Sequence, residues 1–186
     1  MNSKLKGVFS ALITPFDNGE VDYASLEKLV DYQVQQGING LVINGTTAES
    51  PTLTSAEVKK IFSLVRAMVG IQFPLILGTG SNSTAKSVEA TKKAAELGAD
   101  AALVVVPYYN KPPQRGIIQH YKSIAKNSEV PVIMYNVPGR TITAMTAETI
   151  WELSEIKNIL GIKEASGDMS FDQKVKSKLQ NDFVFL

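Results

Sequence analysis

The stretch Ile159-Leu160-Gly161-Ile162-Lys163-Glu164-Ala165-Ser166 reads as a short apolar strand with one lysine near its C-terminal end. Side chains alternate faces along a strand, so Lys163 shares a face with Gly161 and Ala165, two small residues that leave room beside it. Glu164 points the other way and is a poor ion-pair partner for it. A lysine on a crowded inner face without a carboxylate has its ammonium form disfavoured by desolvation. That is how a lysine becomes a nucleophile toward carbonyls. Taken alone, the stretch fits better a solvated lysine where a strand meets a loop, since most lysines are exposed; the rest of the chain reverses that balance.

Working outward, strand-like apolar runs begin near Val8, Leu41, Leu75, Ala102, Val132, Ile159 and Phe183. Amphipathic segments lie between them. Leu26, Leu29, Val30 and Val34 fall on one helical face, with Gly37 as a stop. Val58, Ile61, Phe62, Val65 and Val69 do the same before Gly70, and Thr54-Ser55-Ala56-Glu57 opens that helix as a capping box. Further helices are predicted over 83–97, stopping at Gly98, and over 114–127, 146–153 and 168–179. Strand starts recur about every 30 residues, the length of a βα unit. Several strands are almost wholly apolar, as parallel strands covered on both faces are.

Such alternation allows a doubly wound sheet or a (β/α)8 barrel. A Gly-x-Gly-x-x-Gly fingerprint is missing: Gly78-Thr79-Gly80 is a fragment of it, with no acidic residue placed to hold a ribose. A phosphate-cradling Gly-Lys-Ser/Thr loop is missing too. The expected fold is therefore α/β, a (β/α)8 TIM barrel. A complete barrel needs ~250 residues. This chain of 186 residues stops inside the apolar run Phe183-Val184-Phe185-Leu186. The reading is one barrel domain over 1–186, incomplete at the C-terminus and lacking about the last strand and the C-terminal helices.

Composition narrows the chemistry. The net charge is +1, from 19 basic and 18 acidic residues, so no strong field favours nucleic acid or an anionic membrane. Cysteine is absent, which excludes disulfides, thiol nucleophiles and cysteine–zinc sites. The one histidine, His120, builds no metal cluster and reads as a surface or packing residue. Lys4 and Lys6 before Gly7-Val8-Phe9-Ser10-Ala11-Leu12-Ile13 faintly imitate a signal peptide. Thr14, Pro15 and Asp17 interrupt that run and no small-residue cleavage site follows, so it reads as a strand. No apolar stretch approaches ~20 residues, and a cytoplasmic location is expected.

In a barrel, function collects where strands end and βα loops begin. Those positions hold Asn44-Gly45-Thr46-Thr47-Ala48-Glu49-Ser50, Pro107-Tyr108-Tyr109-Asn110-Lys111-Pro112-Pro113, Tyr135-Asn136-Val137-Pro138-Gly139-Arg140-Thr141, and Lys163. In the first, Gly45 lets the backbone turn, and successive N–H groups with two hydroxyls make a cup for a carboxylate. The set as a whole offers hydroxyls, phenols, a guanidinium and an amine. It has no metal ligands and no glycosidase-type acid pair.

Together these motifs and Gly161-Ile162-Lys163-Glu164-Ala165 resemble the dihydrodipicolinate synthase family, pyruvate-dependent barrel enzymes of lysine and diaminopimelate biosynthesis. The resemblance runs in order along the whole chain. It implies condensation of pyruvate with aspartate 4-semialdehyde through a lysine Schiff base, giving 4-hydroxy-tetrahydrodipicolinate, with no cofactor and no metal. By the same resemblance Lys163 is the Schiff-base lysine and Tyr135 the proton-relay tyrosine. Thr46 and Tyr109 are the relay's partners, Tyr109 reaching across a tight dimer interface. Gly45, Thr46 and Thr47 bind the pyruvate carboxylate, and Arg140 receives the carboxylate of the aldehyde. A homodimer or homotetramer is implied. Lysine-inhibited members commonly carry histidines and an acidic residue around an effector site; here the matching neighbourhood holds Ser55, Val58 and Lys86, so feedback by lysine is expected to be weak. Two alternatives stand beside this reading. One is a sister Schiff-base lyase, such as N-acetylneuraminate lyase or a keto-deoxy sugar-acid aldolase; the second threonine, the Tyr-Tyr pair and Arg140 argue against it. The other is an inactive fragment whose first and seventh strands are unpaired edges.

Overall fold

The computed structural model describes residues 5–186, and Lys4 lies outside them. The described residues form two compact units. One runs to Gly78 and takes in Glu96–Asp100; the other comprises Thr79–Ala95 and Ala101–Leu186.

The first unit begins with β1 (Phe9–Ala11), followed by a small hairpin of β2 (Phe16–Asp17) and β3 (Glu20–Val21). The hairpin turns through Asn18 and Gly19, both at positive φ, the geometry that Asn-Gly favours between short antiparallel strands. Helix α1 (Tyr23–Gln35) starts on Asp22, whose carboxylate accepts the Ser25 N–H at 3.0 Å. Leu26 and Val30 are fully buried, but Val34, placed on the same face by its spacing, is 38% exposed. Strand β4 (Gly40–Ile43) follows, then helix α2 (Ser55–Val69) and strand β5 (Leu75–Gly78). Strands β1 and β5 pair in parallel with either side of β4. All four residues of β4 are buried, as covering on both faces requires. The capping box of α2 forms as expected: Glu57 N–H donates to Thr54 Oγ1 (3.2 Å) and Thr54 N–H donates to Glu57 Oε2 (2.7 Å).

The end of α2 is tied down by Arg66. Its guanidinium donates to the carbonyls of Gly70, Phe73 and Gly98 and to Asp100 Oδ2 at 2.7–3.0 Å. Asp100 Oδ2 also accepts the Leu75 N–H at 2.9 Å. One fork of donors thus fixes the helix end, the entry to β5 and the turn at Gly98. Gly37, Gly70 and Gly98, read as helix stops, all have φ between 75° and 80°.

The second unit holds α3 (Thr84–Glu96), β6 (Ala101–Val105), α4 (Gln114–Lys126), β7 (Val132–Asn136), α5 (Pro138–Thr141), α6 (Ala147–Ser154), β8 (Ile159–Glu164), α7 (Met169–Lys176) and β9 (Val184–Phe185). β6, β7, β8 and β9 pair in parallel, in chain order. One core joins Val104, Met134 and Ile162 from the strands with Ile117, Tyr121 and Ile124 of α4, Ile150 and Leu153 of α6, and Val175 of α7. The seven predicted strand starts all appear, within a residue or so. Helix α7 ends at Lys176, short of the expected 179, and the four-residue helix α5 stands where a loop was expected.

The pairing of β7 with β8 is irregular at its start. Val132 pairs with Ile159, but Ile133 pairs with Gly161, so Leu160 is an extra residue. Strict alternation along 159–166 therefore fails at this point. Ile159 and Ile162, three apart in sequence, both reach the helix-covered core. Beyond the bulge, Met134 pairs with Ile162 and Tyr135 with Lys163. Met134 and Ile162 take the helix-covered face, so Tyr135 and Lys163 project from the opposite one.

Candidate active site

Lys163 lies on β8, partly buried, with Nζ 4.6 Å from the centre of the Tyr135 ring. Burial pushes its pKa below the ordinary lysine value. The shift comes from loss of water contact, which disfavours the charged form. Glu164 does not compete for the amine. Its Oε2 accepts from Asn136 Nδ2 and its Oε1 from the Ser166 N–H, each at 2.7 Å. The sequence reading of Glu164 as turned away thus holds.

The reading of Gly161 needs correction. It was expected to leave room beside Lys163, but a Cβ at Gly161 would run into the backbone and side chain of Val184 on β9. The glycine serves close strand approach. Ala165, its supposed companion, is exposed just past the end of β8.

Tyr135 is buried on β7, and the next residue, Asn136, is 1% exposed. Asn136 Oδ1 accepts the Met145 N–H at 3.0 Å, and its main-chain carbonyl accepts the Ala165 N–H at 2.9 Å. Between Asn136 and Met145 the chain forms α5, which carries Arg140 on the surface. Thr141 Oγ1 donates toward the carbonyls of Val137 and Thr143, closing that segment on itself. It passes through Ile142, whose φ is 63° and which is 72% exposed. A β-branched residue in that conformation is strained.

Tyr109 also has positive φ (74°) and is 87% exposed. It is neither packed as the cap of a core nor brought against Tyr135 or Lys163 within its unit. Its neighbour Tyr108 is partly buried.

Gly45, Thr46 and Thr47 belong to the first unit, beyond the end of β4. Thr46–Ala48 is a single 3-10 turn, with both threonines exposed. Gly45 is not the residue that turns the chain: its backbone is extended (φ −79°, ψ −172°). The left-handed residues are Asn44 and Glu49, each with φ 57°. Asn44 Nδ2 donates to the Gly78 carbonyl at 2.8 Å, and a Cβ at Gly78 would collide with the Asn44 carbonyl. The glycine that the close approach requires is therefore Gly78, the first of the Gly78-Thr79-Gly80 fragment.

His120 is a packing residue, as expected, but not a surface one. It is 4% exposed within α4, with Nδ1 2.9 Å from Thr84 Oγ1 and its ring edge-on to Tyr121. Burial pushes its pKa down to about 4.

Two residues next to Tyr135 and Lys163 received no role from the sequence. Asn136 passed as part of a strand-end motif and Glu164 only as a side chain facing away. The available signal was a polar residue closing the apolar run of β7, paired in register with an acid closing β8.

Parallel strands in chain order, covering helices and a lysine on a strand place the chain among the (β/α)-barrel proteins. Among these it belongs to the dihydrodipicolinate synthetase family, whose sequence model matches residues 4–186. It is 51% identical over 181 residues to the 4-hydroxy-tetrahydrodipicolinate synthase of Bdellovibrio bacteriovorus, covering 97% of this chain and 62% of that protein. The structure of the Bacillus anthracis dihydrodipicolinate synthase superposes with a TM-score of 0.92 at 46% identity, over 96% of this chain and 61% of that one. The Acinetobacter baumannii synthase, solved in complex with pyruvate, gives 0.94 at 44% identity, over 97% and 62%. The chain thus spans about 62% of the length of the curated relatives it matches. Among the described residues no helix is long and apolar enough to cross a membrane.

Proposed function

We propose that Lys163 forms a Schiff base with pyruvate and that the product is 4-hydroxy-tetrahydrodipicolinate. The observation that carries this reading is the half-buried Lys163 amine against the Tyr135 ring, with its pKa lowered and Glu164 engaged elsewhere. An ordinary lysine is neutral in only about one part in 10³ to 10⁴ at pH 7, and burial raises that share.

Neutral Lys163 adds through Nζ to the ketone carbon of pyruvate, and water leaves to give an iminium. The cation acts as an electron sink: a methyl proton departs and an enamine forms. The enamine carbon attacks the aldehyde of aspartate 4-semialdehyde, after which the chain of atoms cyclises and is released. Tyr135 moves the protons, with Thr46 and Tyr109 as hydroxyl partners, since each hydroxyl can donate and accept. Gly45, Thr46 and Thr47 take the pyruvate carboxylate. Arg140 takes the carboxylate of the aldehyde through a bidentate contact. The side chains carry the chemistry without a cofactor. The exposure of Tyr109 supports a homo-oligomer, dimer or tetramer, in which that phenol crosses to a partner. The reading places the chain in lysine and diaminopimelate biosynthesis, in the cytoplasm, with weak lysine feedback around Ser55, Val58 and Lys86.

The test is borohydride reduction with pyruvate, followed by intact mass and peptide mapping. A pyruvate-sized adduct confined to Lys163 is expected, and turnover with aspartate 4-semialdehyde but not sialic acid then fixes the substrate. Folded chain that yields no adduct would overturn the reading.

A further inference from the structure

We infer that Asn136 and Glu164 act as a positioning pair, holding Tyr135 and Lys163 opposite one another and fastening the Arg140 segment to them. This rests on the function proposed above. The two residues stand in register immediately after the Tyr135–Lys163 pair. Their side chains make three hydrogen bonds. Asn136 Nδ2 donates to Glu164 Oε2 (2.7 Å), joining the ends of β7 and β8. Ser166 N–H donates to Glu164 Oε1 (2.7 Å), fixing the chain as it leaves Lys163. Met145 N–H donates to Asn136 Oδ1 (3.0 Å), anchoring the far end of the segment that contains α5.

Every polar atom of the two side chains is used, and the directions are forced. Both oxygens of Glu164 accept, while Asn136 accepts with one atom and donates with the other. These bonds add to the main-chain bond from the Ala165 N–H to the Asn136 carbonyl at the same strand ends (2.9 Å) and resist a slip of register there. Two of the three bonds end on a carboxylate, the stronger kind. The pair touches no reacting atom; its effect on the chemistry is exerted through the row behind it.

The geometry allows a reciprocal exchange. In the double variant Asn136→Asp/Glu164→Gln the central bond reverses, with the new amide donating to the new carboxylate. The bonds from Met145 and Ser166 keep their acceptors. Each single variant breaks the pattern instead. Asn136→Asp sets two carboxylates face to face. Glu164→Gln has one acceptor oxygen for two donors.

The experiment uses the full chain and two readouts that do not depend on activity. Competitive acetylation across pH, with peptide mapping, reports the reactivity profile of Lys163 against exposed Lys59. Hydrogen exchange reports the Met145 and Ser166 amides. In the single variants, exchange at the affected amide should accelerate at least about ten-fold. The Lys163 profile should move toward that of Lys59, with Lys59 unchanged. The double variant should return both to within about three-fold of the parent.

Loss of amide protection with an unmoved Lys163 profile would overturn the inference, as would a double variant no better than the singles. Should Asn136→Asp alone fail to fold, the comparison of Glu164→Gln with the double variant decides it. Pyruvate trapping by the parent chain is scored separately and bears only on the proposed function.

Discussion

Lys163 stands in register with Tyr135 on the neighbouring parallel strand, its amine 4.6 Å from the centre of the phenol ring. The ring supplies a wall that excludes water, and its hydroxyl is the group proposed above for proton transfer. The two contributions can be separated. Tyr135→Phe keeps the wall and removes the hydroxyl. The pyruvate adduct at Lys163 should form about 10² to 10⁴ times more slowly, measured by quenching with borohydride at timed intervals. Lys163→Ala should give no adduct.

Lys163 also leaves a signature in stability. Its pKa is lower in the folded chain than the ordinary lysine value, because burial disfavours the charged form. The folded state therefore binds fewer protons than the unfolded state between the lowered value and 10.5. The cost of burying the ammonium is fully present below that window and fades as pH rises through it. Lys163→Met should raise Tm at neutral pH, and the gain should shrink toward pH 10.5. Thermal melts at several pH values check this.

His120 gives the matching effect in acid. Its folded pKa is about 4 against 6.5 for a free imidazole, again through burial. Between these values the unfolded chain binds the extra proton, so stability falls as pH drops from 6.5 to 4. The loss attributable to this residue reaches about 3 kcal/mol. In His120→Gln that share of the acid sensitivity should disappear, read as a flatter difference curve in urea titrations over the same pH range.

Arg66 fastens three segments of the first unit to Asp100 with little exposure of either side chain. Arg66→Ala should cost about 3 kcal/mol, the scale for removing one partner of a buried pair. Arg66→Lys should recover only part, since an ammonium cannot replace the planar fork. Denaturant midpoints on the two variants measure both.

Ile142 carries strain at φ 63° with its side chain mostly in water. Ile142→Gly should therefore stabilise the chain by about 1 kcal/mol, strain relief exceeding the entropy a glycine adds to the unfolded state. A lower Tm in this variant would show that the isoleucine packs on something that holds it there.

The strands and most helices were legible because their signals are local and repeated. The buried runs of β4 and β7 announce parallel strands, and Thr54 with Glu57 announces α2. Asn18-Gly19 also marks a hairpin, yet two-residue strands on either side are too short to show a period. The site was legible as a set of strand-end residues but not as a geometry. Gly45 looked like the turning residue because glycine usually is, whereas Asn44 and Glu49 take the left-handed positions. Gly161 looked like open space because a sequence shows which side chain is missing and not what fills the gap. The pairing of Asn136 with Glu164 depends on register, which periodicity leaves undetermined by one residue.

The extra residue Leu160 gives that undetermined step its consequence. Strands β7 and β8 resemble a ratchet with two notches. In the occupied notch Leu160 is skipped. In the next, Leu160 would join the ladder, Ile162 would face Tyr135, and Lys163 would face Asn136. A slip of a single tooth would set an isoleucine where Lys163 now stands and drive an ammonium against the helix layer, while carrying Glu164 past its amide. The sequence thus fixes this register by making the wrong notch costly on both faces of the strand at once: an apolar branch stranded on one side, and a buried cation on the other.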